Sequence, residues 1–202
     1  MPENKTSRRD FVKTAAIAAA GFMIVPRYVL GGKGFIAPSD RLYVAGIGVG
    51  GKGESDLTGF MKGGRCNVAY LCDVDTKRAA GSVKNFPKAK FYKDWRELFD
   101  KESKHFDAVS VSTPDHNHAI ITLAAMQMGK HVYVQKPLTH DIYEARMLTE
   151  GAKRYKVVTQ MGNQGYSNEG TRQCAEMVWD GAIGNVNEVH AWSDRPLWPQ
   201  GL

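Results

Sequence analysis

The chain has 202 residues, 43% hydrophobic and 24% charged, with 21 glycines, three cysteines and a formal net charge of +6; that length holds one doubly wound domain and part of a second. The charge alone would suit a nucleic-acid binder. However, Lys5, Arg8, Arg9, Lys13, Arg27 and Lys33, against Glu3 and Asp10, place a net +4 in the leader and its linker, and no aromatic–basic module follows, so we expect no nucleic-acid partner.

Ser7-Arg8-Arg9-Asp10-Phe11-Val12-Lys13 precedes Thr14 to Val25, an uncharged, alanine-rich stretch. Paired arginines followed by such a stretch resemble a twin-arginine export signal. The stretch is shorter than the roughly 20 apolar residues of a membrane span. We therefore expect residues 1–37 to be signal and linker, read by the twin-arginine export machinery, and the protein to be periplasmic or otherwise exported. If left uncleaved, the leader would tether it to the membrane.

From Asp40 onward, apolar runs of strand length alternate with helical segments, which predicts an α/β fold with a parallel sheet. Leu42–Ile47 reads as a buried strand running into Gly48-Val49-Gly50-Gly51-Lys52-Gly53, and a helix is expected over 54–61. A second register, Gly46 to Gly51, also fits a GxGxxG pattern. The later one leaves a full strand before its first glycine. In that register Gly48 makes the tight turn, Gly50 admits a pyrophosphate, and Gly53 lets the helix pack closely. The next strand, 68–72, ends on Asp73, placed to accept hydrogen bonds from a ribose diol and to repel a 2′-phosphate. These features predict a Rossmann-type doubly wound domain binding NAD rather than NADP, through Gly48, Val49, Gly50, Gly51, Gly53 and Asp73. Cys72 reads as a buried strand residue, and with Cys66 and Cys174 it forms neither a disulfide framework nor a zinc site.

A helix over 76–85 follows, then a short strand at 91–92 and a helix over 95–101 capped by Asp94. A strand over 107–112 leads to a helix over 118–128, ended by Gly129. A strand at 132–134 precedes a helix over 141–155, with Thr139 as candidate cap and Ile142, Ala145, Leu148 and Ala152 on one face. The sixth strand is expected at 157–160. After Gly162 the pattern changes to a helix over 171–180 and a half-exposed antiparallel strand over 186–192. We expect residues 38–162 to form the dinucleotide domain and 163–202 the truncated start of an α+β substrate domain.

Ligands in such sheets bind at the carboxyl ends of the strands, which directs attention to Ser112-Thr113-Pro114-Asp115-His116-Asn117-His118, Gln135-Lys136-Pro137 and Asn163-Gln164. His116 and His118 lack the further ligands a metal site needs, so no metal is expected. Instead Asp115 can cap the following helix, with His118 turned toward the cleft and His116 toward solvent. Asn163 and Gln164 can meet a substrate hydroxyl. Arg195, Trp192 and Trp198 could line a carbohydrate wall or belong to the core of a larger domain.

With the Gly48–Gly53 loop, Asp73, the Thr113-Pro114-Asp115-x-x-His118 turn and Lys136-Pro137, the chain from about residue 40 to 200 resembles the N-terminal portion of the Gfo/Idh/MocA oxidoreductases. That resemblance implies that Thr113, Pro114, His118, Gln135 and Lys136 border the cofactor. It also implies that Lys136 is the catalytic ammonium, bonding the substrate oxygen as hydride leaves. Family members usually carry Glu-Lys-Pro where this chain has Gln135-Lys136-Pro137, a substitution that removes a carboxylate beside Lys136. The family's proton-transfer pair and oligomer contacts would lie beyond Leu202.

The expected function is an exported NAD(P)-dependent oxidoreductase acting on a secondary hydroxyl of a sugar, polyol or glycoside. Export argues for a tightly held cofactor and a closed redox cycle. The alternatives are an NAD-dependent glycoside hydrolase or lyase working by transient oxidation, and a non-catalytic dinucleotide-binding protein.

Overall fold

The computed structural model describes residues 27–34 and 36–192. The twin-arginine stretch and the Arg195–Trp198 segment lie outside the described residues. The chain divides between residues 161 and 162 into two compact units. Six strands form one sheet in the order β3-β2-β1-β4-β5-β6: β1 Leu42–Ile47, β2 Cys66–Cys72, β3 Lys90–Tyr92, β4 Ala108–Val111, β5 His131–Gln135 and β6 Thr159–Gly162. The pairs β1–β2, β1–β4, β2–β3 and β4–β5 are parallel. The helices between them are α1 Lys52–Lys62, α2 Ala80–Asn85, α3 Trp95–Glu102, α4 His118–Gln127 and α5 Ile142–Tyr155.

Helices on both faces bury the central strands twice over, so alternate residues feed two cores. Val44 joins Val49, Leu57, Val68 and Leu71 on one side. Ala45 and Ile47 join Val109, Val111, Ile121, Val132, Val134 and Leu148 on the other. The chain thus reverses direction across the sheet between β1 and β4, which opens a crevice above their carboxyl ends.

Local chemistry moves several expected boundaries. The Asp75 side chain accepts hydrogen bonds from the Lys77 and Arg78 backbone N–H groups at 2.9 and 3.2 Å. Residues 76–79 therefore wind as turns, and α2 starts at Ala80 rather than at 76. Asp94 caps α3 as expected, accepting from Arg96 N at 2.8 Å. For α5 the cap is Asp141, which accepts from Glu144 N at 2.8 Å, while Glu144 reaches back to His140 N. Thr139 instead donates to the Asp141 carbonyl. Ile142 is 75% exposed, because it lies six residues, about 240° of helical turn, before buried Leu148. The packed stripe is Leu148, Gly151, Ala152 and Tyr155.

At the end of α5, Lys156 adopts left-handed backbone with φ 53°, and Val157 N donates to Ala152 O. That closing turn consumes residue 157, so the sixth strand begins at 159 rather than at 157. In the second unit, a 3₁₀ turn over Gln164–Ser167 precedes α6, Glu169–Trp179, and the Thr171 hydroxyl donates to Gly165 O at 3.0 Å. The expected strand over 186–192 is absent. Those residues are irregular, with Val189 80% and Trp192 86% exposed, and among the described residues no neighbour pairs with their backbone. No helix among the described residues is long and apolar enough to cross a membrane.

Candidate cofactor and active site

A cleft of about 670 Å³ lies at the strand-order reversal, its walls including Gly48, Gly50, Asp73, Arg78, Trp95 and Thr113. Its floor exists because the glycine loop lies flat on the end of β4. Gly48 has φ 76°, and a Cβ there would stand 2.7 Å from the Ser112 carbonyl group and Thr113 N. A Cβ on Gly53 would run into the Gly48 carbonyl oxygen. These are the constraints expected of the later register, in which β1 ends at Ile47. Gly51 stands at the N-cap of α1 and offers it no side-chain hydrogen bond, so that helix end keeps backbone donors and its positive dipole end for an anion.

Asp73 does more than wait for a ribose. Its Oδ2 accepts from Gly50 N at 3.0 Å and its Oδ1 from Asp75 N at 3.0 Å. The carboxylate thus ties the glycine loop to the tip of β2, with further lone pairs on both oxygens for a diol. Arg78 covers the loop closely, its backbone and Cβ 3.0–3.2 Å from where a Gly50 Cβ would be. The Arg96 guanidinium lies over Trp95 at 4.5 Å, giving the rim a flat surface on which a purine can stack. The Thr113 hydroxyl is buried in the wall with no hydrogen-bond partner among the described residues. Orphan hydroxyl, glycine cradle and uncapped helix end together fit a dinucleotide such as NAD. Cys72, also in the wall, has its thiol pushed up to about 12 by burial and by the negative charges of Asp73, Asp94 and Glu97.

The remaining candidates fall in different places. Pro114 lines the cleft beside Thr113. Val49 does not, since its side chain is fully buried and its carbonyl accepts the Ser82 hydroxyl at 2.6 Å. His118 is only 1% exposed. Instead of facing the cleft, its Nδ1 lies 2.7 Å from the Pro137 carbonyl oxygen and its Nε2 2.8 Å from that of Thr113. It clamps the turn after β4 to the turn after β5. The preceding 3₁₀ turn, Asp115–Asn117, carries no side-chain cap, so Asp115 does not cap α4. His116 is exposed, its ring 3.2 Å from the Asn117 amide. Among the described residues no three His, Cys, Asp or Glu side chains gather as metal ligands. Asn163 and Gln164 open the 3₁₀ turn of the second unit, where the Asn163 carbonyl accepts from Tyr166 N.

Lys136 stands exposed just past β5, next to the strand whose end lines the cleft. Gln135 before it is 4% exposed, and its Nε2 donates to Asp56 Oδ2 at 2.7 Å. Asp56 is 6% exposed; the same oxygen accepts the Ser112 hydroxyl at 3.0 Å, and Lys52 Nζ lies 3.0 Å from Oδ1. Sequence reasoning passed over Asp56, although the signal was present. It occupies the inward stripe of α1 with Gly53, Leu57 and Phe60, where a carboxylate needs partners.

Fold and cleft define a Rossmann domain with a cradle for a dinucleotide. Residues 42–163 match the family model described as oxidoreductase family, NAD-binding Rossmann fold (GFO_IDH_MocA). The chain belongs to the Gfo/Idh/MocA oxidoreductases. It is 27% identical over 206 aligned positions to a glycosyl hydrolase family 109 protein of Shewanella pealeana, covering 90% of this chain and 44% of that one. It is 26% identical over 134 positions to levoglucosan dehydrogenase of Pseudarthrobacter phenanthrenivorans, covering 64% and 34%. Among solved structures, myo-inositol 2-dehydrogenase of Lactobacillus plantarum shares the fold, with a TM-score of 0.65 at 23% identity over 72% of this chain and 43% of that one. The chain spans less than half the length of these proteins.

Proposed function

We propose that the chain is the cofactor-binding part of an exported oxidoreductase that acts on a secondary hydroxyl of a sugar, polyol or glycoside and holds its nicotinamide cofactor tightly. The observation that carries this reading is the buried Asp56–Gln135 contact. It joins the helix behind the glycine loop to the turn bearing Lys136, which supports reading cradle and ammonium as parts of one site. Bound NAD would supply the hydride acceptor. Lys136 would donate a hydrogen bond to the substrate oxygen and stabilise the negative charge that grows there. Thr113 and the start of α1 would fix the dinucleotide. Asp73 supports NAD over NADP, while Arg78, Lys93 and Arg96 in the walls soften the repulsion a 2′-phosphate would meet.

Nucleotide co-purifying with the protein, identified by mass and absorbance, tests cofactor retention. A glycoside and polyol screen should then follow nicotinamide absorbance and product release together. Lys136→Met should lower turnover about 10²–10³-fold, as loss of a transition-state donor does, while the nucleotide stays bound. Undiminished turnover would refute the catalytic role. Failure to take up either NAD or NADP would refute the whole reading. Arg8→Lys with Arg9→Lys should keep the protein in the cytoplasm, and unchanged export would remove the twin-arginine assignment.

A second reading is favoured by the likeness to the Shewanella protein across 90% of this chain. It is glycoside cleavage through transient oxidation, which acidifies the neighbouring C–H and permits elimination. Release of aglycone without net cofactor reduction would select it.

A further inference from the structure

We propose that Asp56 is a positioning residue for Lys136, acting through Gln135, and that this pair works only with one carboxylate and one carboxamide between its members; the inference rests on the reading of the cleft as a nicotinamide site.

The two side chains are 79 residues apart in sequence and both are buried. Gln135 uses each end of its amide. Nε2 donates to Asp56 at 2.7 Å, and Oε1 accepts from the Lys136 backbone N–H at 3.3 Å. The carboxamide donates in one direction and accepts in the other, which an ionised carboxylate cannot do. An ionised glutamate at 135 could still accept from Lys136, but it would present a second negative charge to Asp56 with no proton between them. Asp56 is in turn fixed by Ser112 from the end of β4 and by Lys52 from the first turn of α1. Ser112 and Lys52 both also line the cofactor cleft. The chain Lys52–Asp56–Gln135–Lys136 therefore runs from the cleft wall to Lys136.

Lys136 itself is exposed, so its placement depends on the backbone turn that Gln135 holds. The carboxylate that Gln135 does not supply at the β5 turn is present on α1 instead. The swapped arrangement, asparagine at 56 and glutamate at 135, keeps one charge, one donor toward the acid and one acceptor for Lys136 N–H.

The test uses the ¹⁵N-labelled chain and NAD as probe, reading the Lys136 amide resonance and the NAD dissociation constant together. The expected result for Asp56→Asn and for Gln135→Glu is that the NAD-induced shift at Lys136 falls by about half or more. Affinity should change by no more than roughly threefold, and D56N/Q135E should restore the shift, as coupled residues do in a double-mutant cycle. An unchanged Lys136 response in both single variants would overturn the proposal. So would affinity falling in parallel with the shift, or a swapped pair that restores nothing. Should either single variant fail to fold, the swapped pair decides alone: a folded protein with the original response supports the proposal, and any other result overturns it. No uptake of NAD by the unsubstituted chain would overturn the proposed function and this inference together, whereas uptake with an indifferent Lys136 overturns this inference alone.

Discussion

Replacing glycine by alanine at three positions of one loop and helix should give three different outcomes. At Gly48 the backbone has φ 76°, and the new Cβ would sit 2.7 Å from the Ser112 carbonyl and Thr113 N. Left-handed backbone costs an alanine about 1–2 kcal/mol, and forcing an atom into a filled site adds about 1–3 kcal/mol. Together these come to roughly 3 kcal/mol, or some 6–12 °C in Tm for a domain of this size. The loop must also lift from β4, so NAD affinity should fall at least about 100-fold, since the cradle depends on that close approach. At Gly53 the Cβ would overlap the Gly48 carbonyl oxygen, and the loss should be larger still. At Gly59, exposed on α1 with nothing within 4 Å of the added Cβ, the substitution should stabilise by about 0.5–1 kcal/mol through helix propensity. Thermal melting by circular dichroism gives the first quantity and calorimetric titration with NAD the second. Native melting and undiminished NAD affinity in Gly48→Ala would refute the loop geometry. A destabilised Gly59→Ala would refute the account of α1.

Glu102 accepts hydrogen bonds from Lys90, Tyr92 and Tyr70, and the Lys90 bond, then that of Tyr92, brings its carboxyl down from 4.5 to about 2. Because the folded value is the lower, its stabilisation is complete above pH 4.5 and is lost as pH falls toward about 2. Acid titration followed by circular dichroism should therefore show a shallower loss between those limits in Glu102→Gln, and an identical curve would refute this role. Burial keeps the Cys72 thiol protonated, whereas Cys174 is exposed. A disulfide reagent at pH 7 should modify Cys174 promptly and Cys72 only after denaturant is added, and prompt modification of Cys72 in the folded chain would contradict its burial.

Short-range signals carried most of the fold. β1 was legible at both ends because it is a continuous apolar run stopped by a glycine whose conformation only glycine adopts easily. Asp94 and Gly129 marked helix ends through interactions spanning two to four residues. Boundaries failed where two local partners competed. Thr139 and Asp141 can both cap α5, and Asp141 does so because the first turn begins at Ile142, which puts the Glu144 N–H within its reach. The strand expected over 186–192 failed for another reason: alternation describes a face, while a strand also needs a neighbour for its backbone.

The same division runs through the site. Gly48, Gly53 and Asp73 could be picked from the chain because each answers a requirement of its own turn or strand end, whereas Lys136 was implied by family resemblance alone. His118 could be named but not oriented: its ring spans carbonyls five and 19 residues away, and no pattern along the chain says which it meets. Asp56 with Gln135 lies furthest from sequence reading. What amino-acid order alone determined is the alternation of strands and helices and the glycine turn, since backbone sterics and hydrophobic periodicity act between near neighbours. What only the tertiary structure decided is which buried carboxylate faces which buried amide across 79 residues, because that choice is made by the packing of α1 against the ends of β4 and β5.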